Sequence, residues 1–226
     1  MVSGQKRFQE SGARQDKSRR ASVIEQCLRR AYPKPAIALH FSTPLQLLVA
    51  VILSAQCTDA RVNIVTKELF KKYRTANDFA NAKLKELEKE IHSTGFYKSK
   101  AKNIVACCQV LVEKYGGQVP QTMEELTALA GVGRKTANCL LGGCFNIPSG
   151  IVVDTHVKRL ANRLGLSKQD DPEKIESDLM ELLPQKDWIH FGNALIHHGR
   201  KICNARKPLC AECVLNDLCP LAFTIV

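Results

Sequence analysis

The chain has 226 residues, with 33 Lys+Arg against 22 Asp+Glu and ten cysteines. Its 45% hydrophobic and 24% charged composition is that of a globular chain able to bury a core. No apolar run approaches the roughly 20 residues of a membrane span, and no apolar signal core follows Met1, so a membrane protein and a secreted disulfide scaffold are both excluded as expectations. The net charge of +11 calls for an anionic partner, most commonly nucleic acid.

Residues 1–20 are polar and aperiodic, with Lys6, Arg7, Arg14, Lys17, Arg19 and Arg20 against Glu10 and Asp16. They read as a basic flexible arm. The arm carries +4 of the +11, which leaves +7 on the body. From Ser22 the pattern is helical. Ser42-Thr43-Pro44 marks a helix start, with Pro44 in the first turn, ahead of the wholly apolar run that ends at Leu53. Such a helix is expected to be buried on all sides. Thr58 or Asp59 caps a helix that runs to about Tyr73. The next spans Leu84 to Ser93 and stops at Gly95. Ile104, Val105, Cys108, Leu111 and Val112 mark a long helix that ends at Gly116-Gly117. A short helix from Met123 to Leu129, a glycine turn and a helix from Arg134 to about Leu141 follow. Val157, Leu160, Ala161 and Leu164 form another stripe, ended by Gly165, and Pro172–Leu183 and Trp188–Ile202 complete the series. No period-two alternation supports a sheet, so the chain reads as all-α.

Two segments share an order of helix, glycine turn, basic helix start and alanine: Gly95 to Ala101 and Gly131 to Ala137. The second is the more informative. Gly131 and Gly133 flank Val132, which can tuck between two helices while the backbone turns tightly. The helix beginning at Arg134 then offers free N–H groups and a positive dipole end to an anion, as a DNA phosphate requires.

Lys135 falls in the first turn of that helix. At an ordinary pKa near 10.4, a lysine is neutral only about once in 10³ to 10⁴ at pH 7. Nearby positive charge and partial desolvation are expected to lower that pKa and free the amine as a nucleophile toward a sugar C1′. The developing cation needs a carboxylate, and Asp154 in Val152-Val153-Asp154-Thr155-His156 is the candidate. Two plainer roles stay open, a phosphate contact for Lys135 and a helix N-cap for Asp154.

Six cysteines (Cys27, Cys57, Cys107, Cys108, Cys139 and Cys144) sit among apolar helical patterns as small hydrophobes. The other four are spaced Cys203-x6-Cys210-x2-Cys213-x5-Cys219, which suggests metal ligation. Spacing alone permits zinc or an iron–sulfur cluster.

Leu53-Ser54-Ala55-Gln56, Gly131 to Asn138, Val153-Asp154-Thr155-His156 and the four-cysteine tail, taken together, resemble the endonuclease III family. These are bifunctional DNA glycosylase/AP lyases of the helix-hairpin-helix superfamily with an iron–sulfur cluster. The likeness runs from about residue 22 to Cys219. It implies base excision repair: removal of oxidised pyrimidines from duplex DNA, then β-elimination 3′ to the abasic site. It implies Lys135 as the Schiff-base nucleophile and Asp154 as the essential carboxylate. Gln56 would fill the gap left by a flipped nucleotide and Phe96 would enter the stack as a wedge. Gly131, Val132, Gly133 and Arg134 would hold DNA, as would Arg206 and Lys207 in the first cysteine loop. Cys203, Cys210, Cys213 and Cys219 would carry a structural 4Fe–4S cluster. Ala130 stands where the family often has proline, and Phe96 is bulkier than the aliphatic residue usual there.

The resemblance further implies a monomer with double-stranded DNA carrying damaged pyrimidines or abasic sites as its partner and no membrane. Its place would be the bacterial cytoplasm and nucleoid, or the nucleus and mitochondrion of a eukaryote. Two α-helical domains are expected: residues 37–148 as a helical barrel with the hairpin, and residues 21–36 with 149–226 as the cluster domain. DNA would lie across the cleft between them, with Lys135 and Asp154 facing each other. Two alternatives are a non-catalytic DNA-docking module and a monofunctional adenine or mismatch glycosylase; Lys135 argues against the second.

Overall fold

The computed structural model describes residues 2–224, and among them there are helices and turns but no strand. The chain divides into two compact units, residues 37–149 and residues 1–36 with 150–226.

The first unit is built around α2 (Pro44–Ser54), whose Thr43 side chain accepts the Gln46 N–H as an N-cap and whose Pro44 opens the first turn. Leu47, Leu48, Val49, Ala50 and Leu53 are all buried, as an apolar run without a polar face requires. Around it lie α3 (Asp59–Lys72), capped by Thr58, and the short α4 (Ala76–Ala80). Then come α5 (Leu84–Glu90), α6 (Tyr97–Tyr115), α7 (Met123–Thr127) and α8 (Arg134–Phe145). Ile104, Cys107, Cys108 and Leu111 form the buried stripe of α6, whereas Val112 is exposed. α4 has no apolar periodicity to announce it. Its signal is a capping box, in which Thr75 Oγ1 accepts the Asp78 N–H and Asp78 accepts the Thr75 N–H. The helix expected to continue to Ser93 stops at Glu90, and a 3₁₀ turn over His92–Thr94 carries the chain to Gly95.

The second unit packs α1 (Val2–Ala31) with α9 (Thr155–Arg163), α10 (Pro172–Leu182) and α11 (Trp188–Lys201). Ile24, Leu28, Leu160, Leu179, Phe191 and Leu195 are wholly or almost wholly buried in its core. The residues expected as a basic flexible arm, 1–20, are helical from Val2 onward. α1 begins at Val2, and the Arg20 guanidinium donates to the Leu164, Gly165 and Leu218 carbonyls at 2.7, 3.3 and 3.2 Å. The polar run contains no proline and is rich in Arg, Lys and Gln, so helix propensity extends backward from the apolar face that starts at Ala21. Among the described residues no helix is long and apolar enough to cross a membrane.

Candidate active site and cysteine loop

The turn between α7 and α8 is held by Leu129 and Val132, both buried, Val132 at 6% exposure. Gly131 adopts φ +77°, and a Cβ there would lie 2.9 Å from Asn103, so this position needs glycine for conformation and for space. Gly133 differs. Its φ is −96°, it is the N-cap of α8 with no side chain to cap, and a Cβ there would meet nothing within 4 Å. Open space lies in front of the positive end of a twelve-residue helix, the arrangement an incoming phosphate uses.

Lys135 is the second residue of α8 and is exposed, while Arg134 beside it is half-buried. Burial pushes the thiol of Cys139, one turn further along α8, up to about 12. That thiol stays protonated and offers no competing nucleophile.

Gln56 and Phe96 are both exposed, Phe96 at 64%. Both hold left-handed backbone conformations, φ +52° and +47°, that are uncommon without glycine. The likeness of the Gly95 and Gly131 segments thus holds at the first glycine, with φ +69° and +77°, but not at the helix cap. Phe96 caps α6 in the left-handed region, whereas Gly133 caps α8 in the extended one.

Asp154 stands at the N-cap of α9, half-buried, with Oδ1 accepting the N–H groups of His156 and Val157, each at 2.8 Å. The plainer role is real, and it occupies one carboxylate oxygen. Midway along the same helix Arg159 donates to the Gly199 and Cys203 carbonyls at 2.8 and 2.9 Å. Arg163 donates to the Asn204 and Ala205 carbonyls at 2.7 and 2.6 Å and to Cys203 Sγ at 3.3 Å. One nine-residue helix carries the carboxylate at its start and grips the cysteine loop at its end. Arg159 and Arg163 were not singled out in the sequence. Their four-residue spacing, which puts them on one helix face, was the available signal.

Cys203, Cys210, Cys213 and Cys219 are free thiols that line one hollow with Arg163, Ile202, Leu209 and Leu221. Among the described residues no three His, Cys, Asp or Glu side chains are set to hold a single metal ion. Four thiol groups converging on one hollow are the donor set that an iron–sulfur cluster takes. Burial raises the Cys213 thiol, the Leu215 N–H that it accepts opposes this, and the neighbouring Cys203, Cys219 and Cys210 raise it further. His198, held to about 4 by burial, lies between Tyr32 Oη at 3.0 Å and Cys213 Sγ at 3.2 Å. A cluster-bound thiolate can only accept, so with the group in place Nε2–H of His198 would donate to Cys213 and Nδ1 would accept the Tyr32 O–H. The residues fit an iron–sulfur group. Arg206 and Lys207 are exposed within the first loop.

Residues 49–185 match the HhH-GPD superfamily of base excision DNA repair proteins, and residues 203–219 match the iron–sulfur binding domain of endonuclease III. Endonuclease III of Synechocystis sp. is 55% identical over 206 residues, covering 91% of this chain and 94% of that protein. The chain belongs to the endonuclease III family. It is accordingly a DNA glycosylase with abasic-site lyase activity, and its cofactor is a 4Fe–4S cluster. A solved non-covalent endonuclease III–DNA complex superposes with a TM-score of 0.86 at 42% identity, covering 92% of this chain and 97% of the other. A trapped endonuclease III–DNA covalent intermediate gives 0.84 at 43% identity, with 90% and 97% covered.

Proposed function

We propose that this member of the endonuclease III family excises oxidised pyrimidines from duplex DNA and then cleaves the strand 3′ to the abasic site. In this reading the hairpin docks the backbone: a phosphate enters the open space before α8 and receives its free N–H groups, with Arg134 beside it. Gln56 and Phe96 fill the gap left by the extruded nucleotide, which offsets part of the few kcal/mol that unstacking costs. The neutral amine of Lys135 attacks C1′ and forms a C–N bond. The glycosidic bond breaks, and its electron pair leaves with the base, which takes up a proton. The nitrogen then loses its proton, and its lone pair forms the C=N bond of the iminium as the C1′–O4′ bond breaks, O4′ leaving with the electron pair and taking up a proton. The Asp154 carboxylate, whose Oδ2 is not used for capping, offsets the positive charge that develops at C1′. Loss of a C2′ proton from the iminium then expels the 3′ phosphate.

The observation that carries this reading is the exposed amine of Lys135 in the first turn behind an uncapped glycine N-terminus. Because the side chain is exposed, bound DNA itself must supply the water exclusion that chemistry at C1′ needs. When bound, the cluster supplies positive charge that ties four thiolates into one rigid loop. Cys203, Cys210, Cys213 and Cys219 are its assigned ligands, and the loop presents Arg206 and Lys207 to the phosphate backbone. The protein acts as a monomer in this reading.

Borohydride reduction should trap the protein covalently on a duplex containing an oxidised pyrimidine, and Lys135→Gln should abolish trapping while keeping duplex affinity within about threefold. Undiminished trapping by Lys135→Gln would show that another amine is the nucleophile.

A further inference from the structure

Lys100 is 4% exposed, in the first turns of α6, and among the described residues no carboxylate meets its ammonium. Its Nζ donates to two backbone carbonyls instead, Leu53 O at 2.8 Å and Thr94 O at 2.7 Å. A buried ammonium that donates to peptide carbonyls rather than to a carboxylate is costly to desolvate. As a hydrophobic pillar the position would be better served by leucine or methionine.

The two acceptors lie at informative places. Leu53 O belongs to the last turn of α2, where carbonyls lack helical partners and the dipole favours a cation. Three residues on is Gln56, with φ +52°. Thr94 O ends the 3₁₀ turn, and two residues on is Phe96, with φ +47°. One nitrogen thus bridges the roots of two tight loops whose tips are exposed, left-handed, non-glycine residues. Strained conformations persist only where the surroundings hold them, and at both roots part of that hold is this ammonium.

We propose that Lys100 is a positioning residue that fixes the spacing of Gln56 and Phe96, so that the two side chains enter the duplex together at a vacated nucleotide. The proposal deepens the reading above and rests on its assignment of these two side chains to DNA. Lys100 itself touches neither substrate nor reacting atoms.

The test uses the full-length iron-loaded protein and two duplexes, one with a tetrahydrofuran abasic analogue and one undamaged. The quantity read is the ratio of the two affinities, because a merely structural defect lowers both together. Lys100→Met should keep cooperative unfolding and undamaged-duplex affinity within about twofold, yet reduce preference for the abasic analogue about tenfold, the scale expected when positioning loosens by a fraction of an ångström. In a Gln56→Ala/Phe96→Ala background the same substitution should have no further effect. Should the Met variant not fold, Lys100→Gln carries the same comparison, since it keeps an N–H donor but is too short to reach both carbonyls. Unchanged preference in the Lys100 variant, or an equal loss in both backgrounds, would overturn the proposal. Full preference in Gln56→Ala/Phe96→Ala with Lys100 intact would instead remove the assignment of the two tips, and the proposal with it.

Discussion

The Asp154 carboxylate accepts the Val157 backbone N–H at 2.8 Å through Oδ1, the same oxygen that accepts the N–H of His156. The residue assigned to stabilise a cationic sugar therefore also starts α9. These two roles separate by substitution. Asparagine caps about as well as aspartate, whereas alanine costs about 1 kcal/mol. Asp154→Asn should melt close to wild type and bind duplex DNA normally, but excise an oxidised pyrimidine at least 10²-fold more slowly in single-turnover assays. Comparable losses in melting temperature and in excision rate would reduce Asp154 to its cap.

The two hairpin glycines should respond oppositely to alanine. Gly131→Ala forces a side chain to φ +77° and to 2.9 Å from Asn103, at a cost of about 1–3 kcal/mol in chemical denaturation. Gly133→Ala meets no neighbour at φ −96° and should leave stability equal or raised by up to about 1 kcal/mol. Its methyl group occupies the space in front of α8, so duplex affinity should fall although the fold is intact. Wild-type DNA affinity in Gly133→Ala would argue against phosphate docking at that helix end.

The N–H···S contact from His198 predicts how firmly the cluster is held. His198→Leu removes the donor to Cys213 Sγ and leaves the Tyr32 O–H without its acceptor. Loss of a second-shell donor typically weakens metal holding about 10–100-fold. The purified protein should be brown with iron bound. The variant should lose its visible absorbance to a chelator at least several-fold faster than wild type. Equal bleaching rates would show that the imidazole does not support the cluster.

Burial lowers the pKa of Lys100 below its usual 10.5, opposed only in part by Cys57. For a depressed folded-state pKa the contribution to stability is complete above 10.5 and is lost as pH falls through the folded value. Wild type should therefore gain stability relative to Lys100→Met as pH rises toward 10.5. Denaturant midpoints of the two proteins across that interval give the sign directly, and a constant gap would place the ammonium in water.

Most of the helices and their caps were written in local pattern. Thr43-Pro44, Thr58, Asp171-Pro172 and the paired glycines after α6 carry their signals within a few residues. α4 was missed because it is held by one capping box and no stripe. The helix over the N-terminal segment was not announced, because a polar helix has no apolar periodicity and Arg20 finds its acceptors 144 to 198 residues away. Among the candidate site residues, Lys135 and the four cysteines declared themselves by neighbours in sequence. Arg159, Arg163, His198 and Lys100 did not, since their partners lie at least 15 residues distant except for Thr94, six before Lys100, and His156, three before Arg159.

The sequence by itself determined an all-α chain with a glycine hairpin, a lysine behind it and a cysteine loop, because backbone propensity, capping and motif spacing act over a few residues. Only the tertiary structure decided that Lys135 is exposed, that Asp154 spends one oxygen on its own helix, and that a buried ammonium ties the Gln56 and Phe96 loops together. Solvent access and the sharing of one donor between distant carbonyls depend on packing, and packing is set by which residues far apart in the chain come to lie against one another.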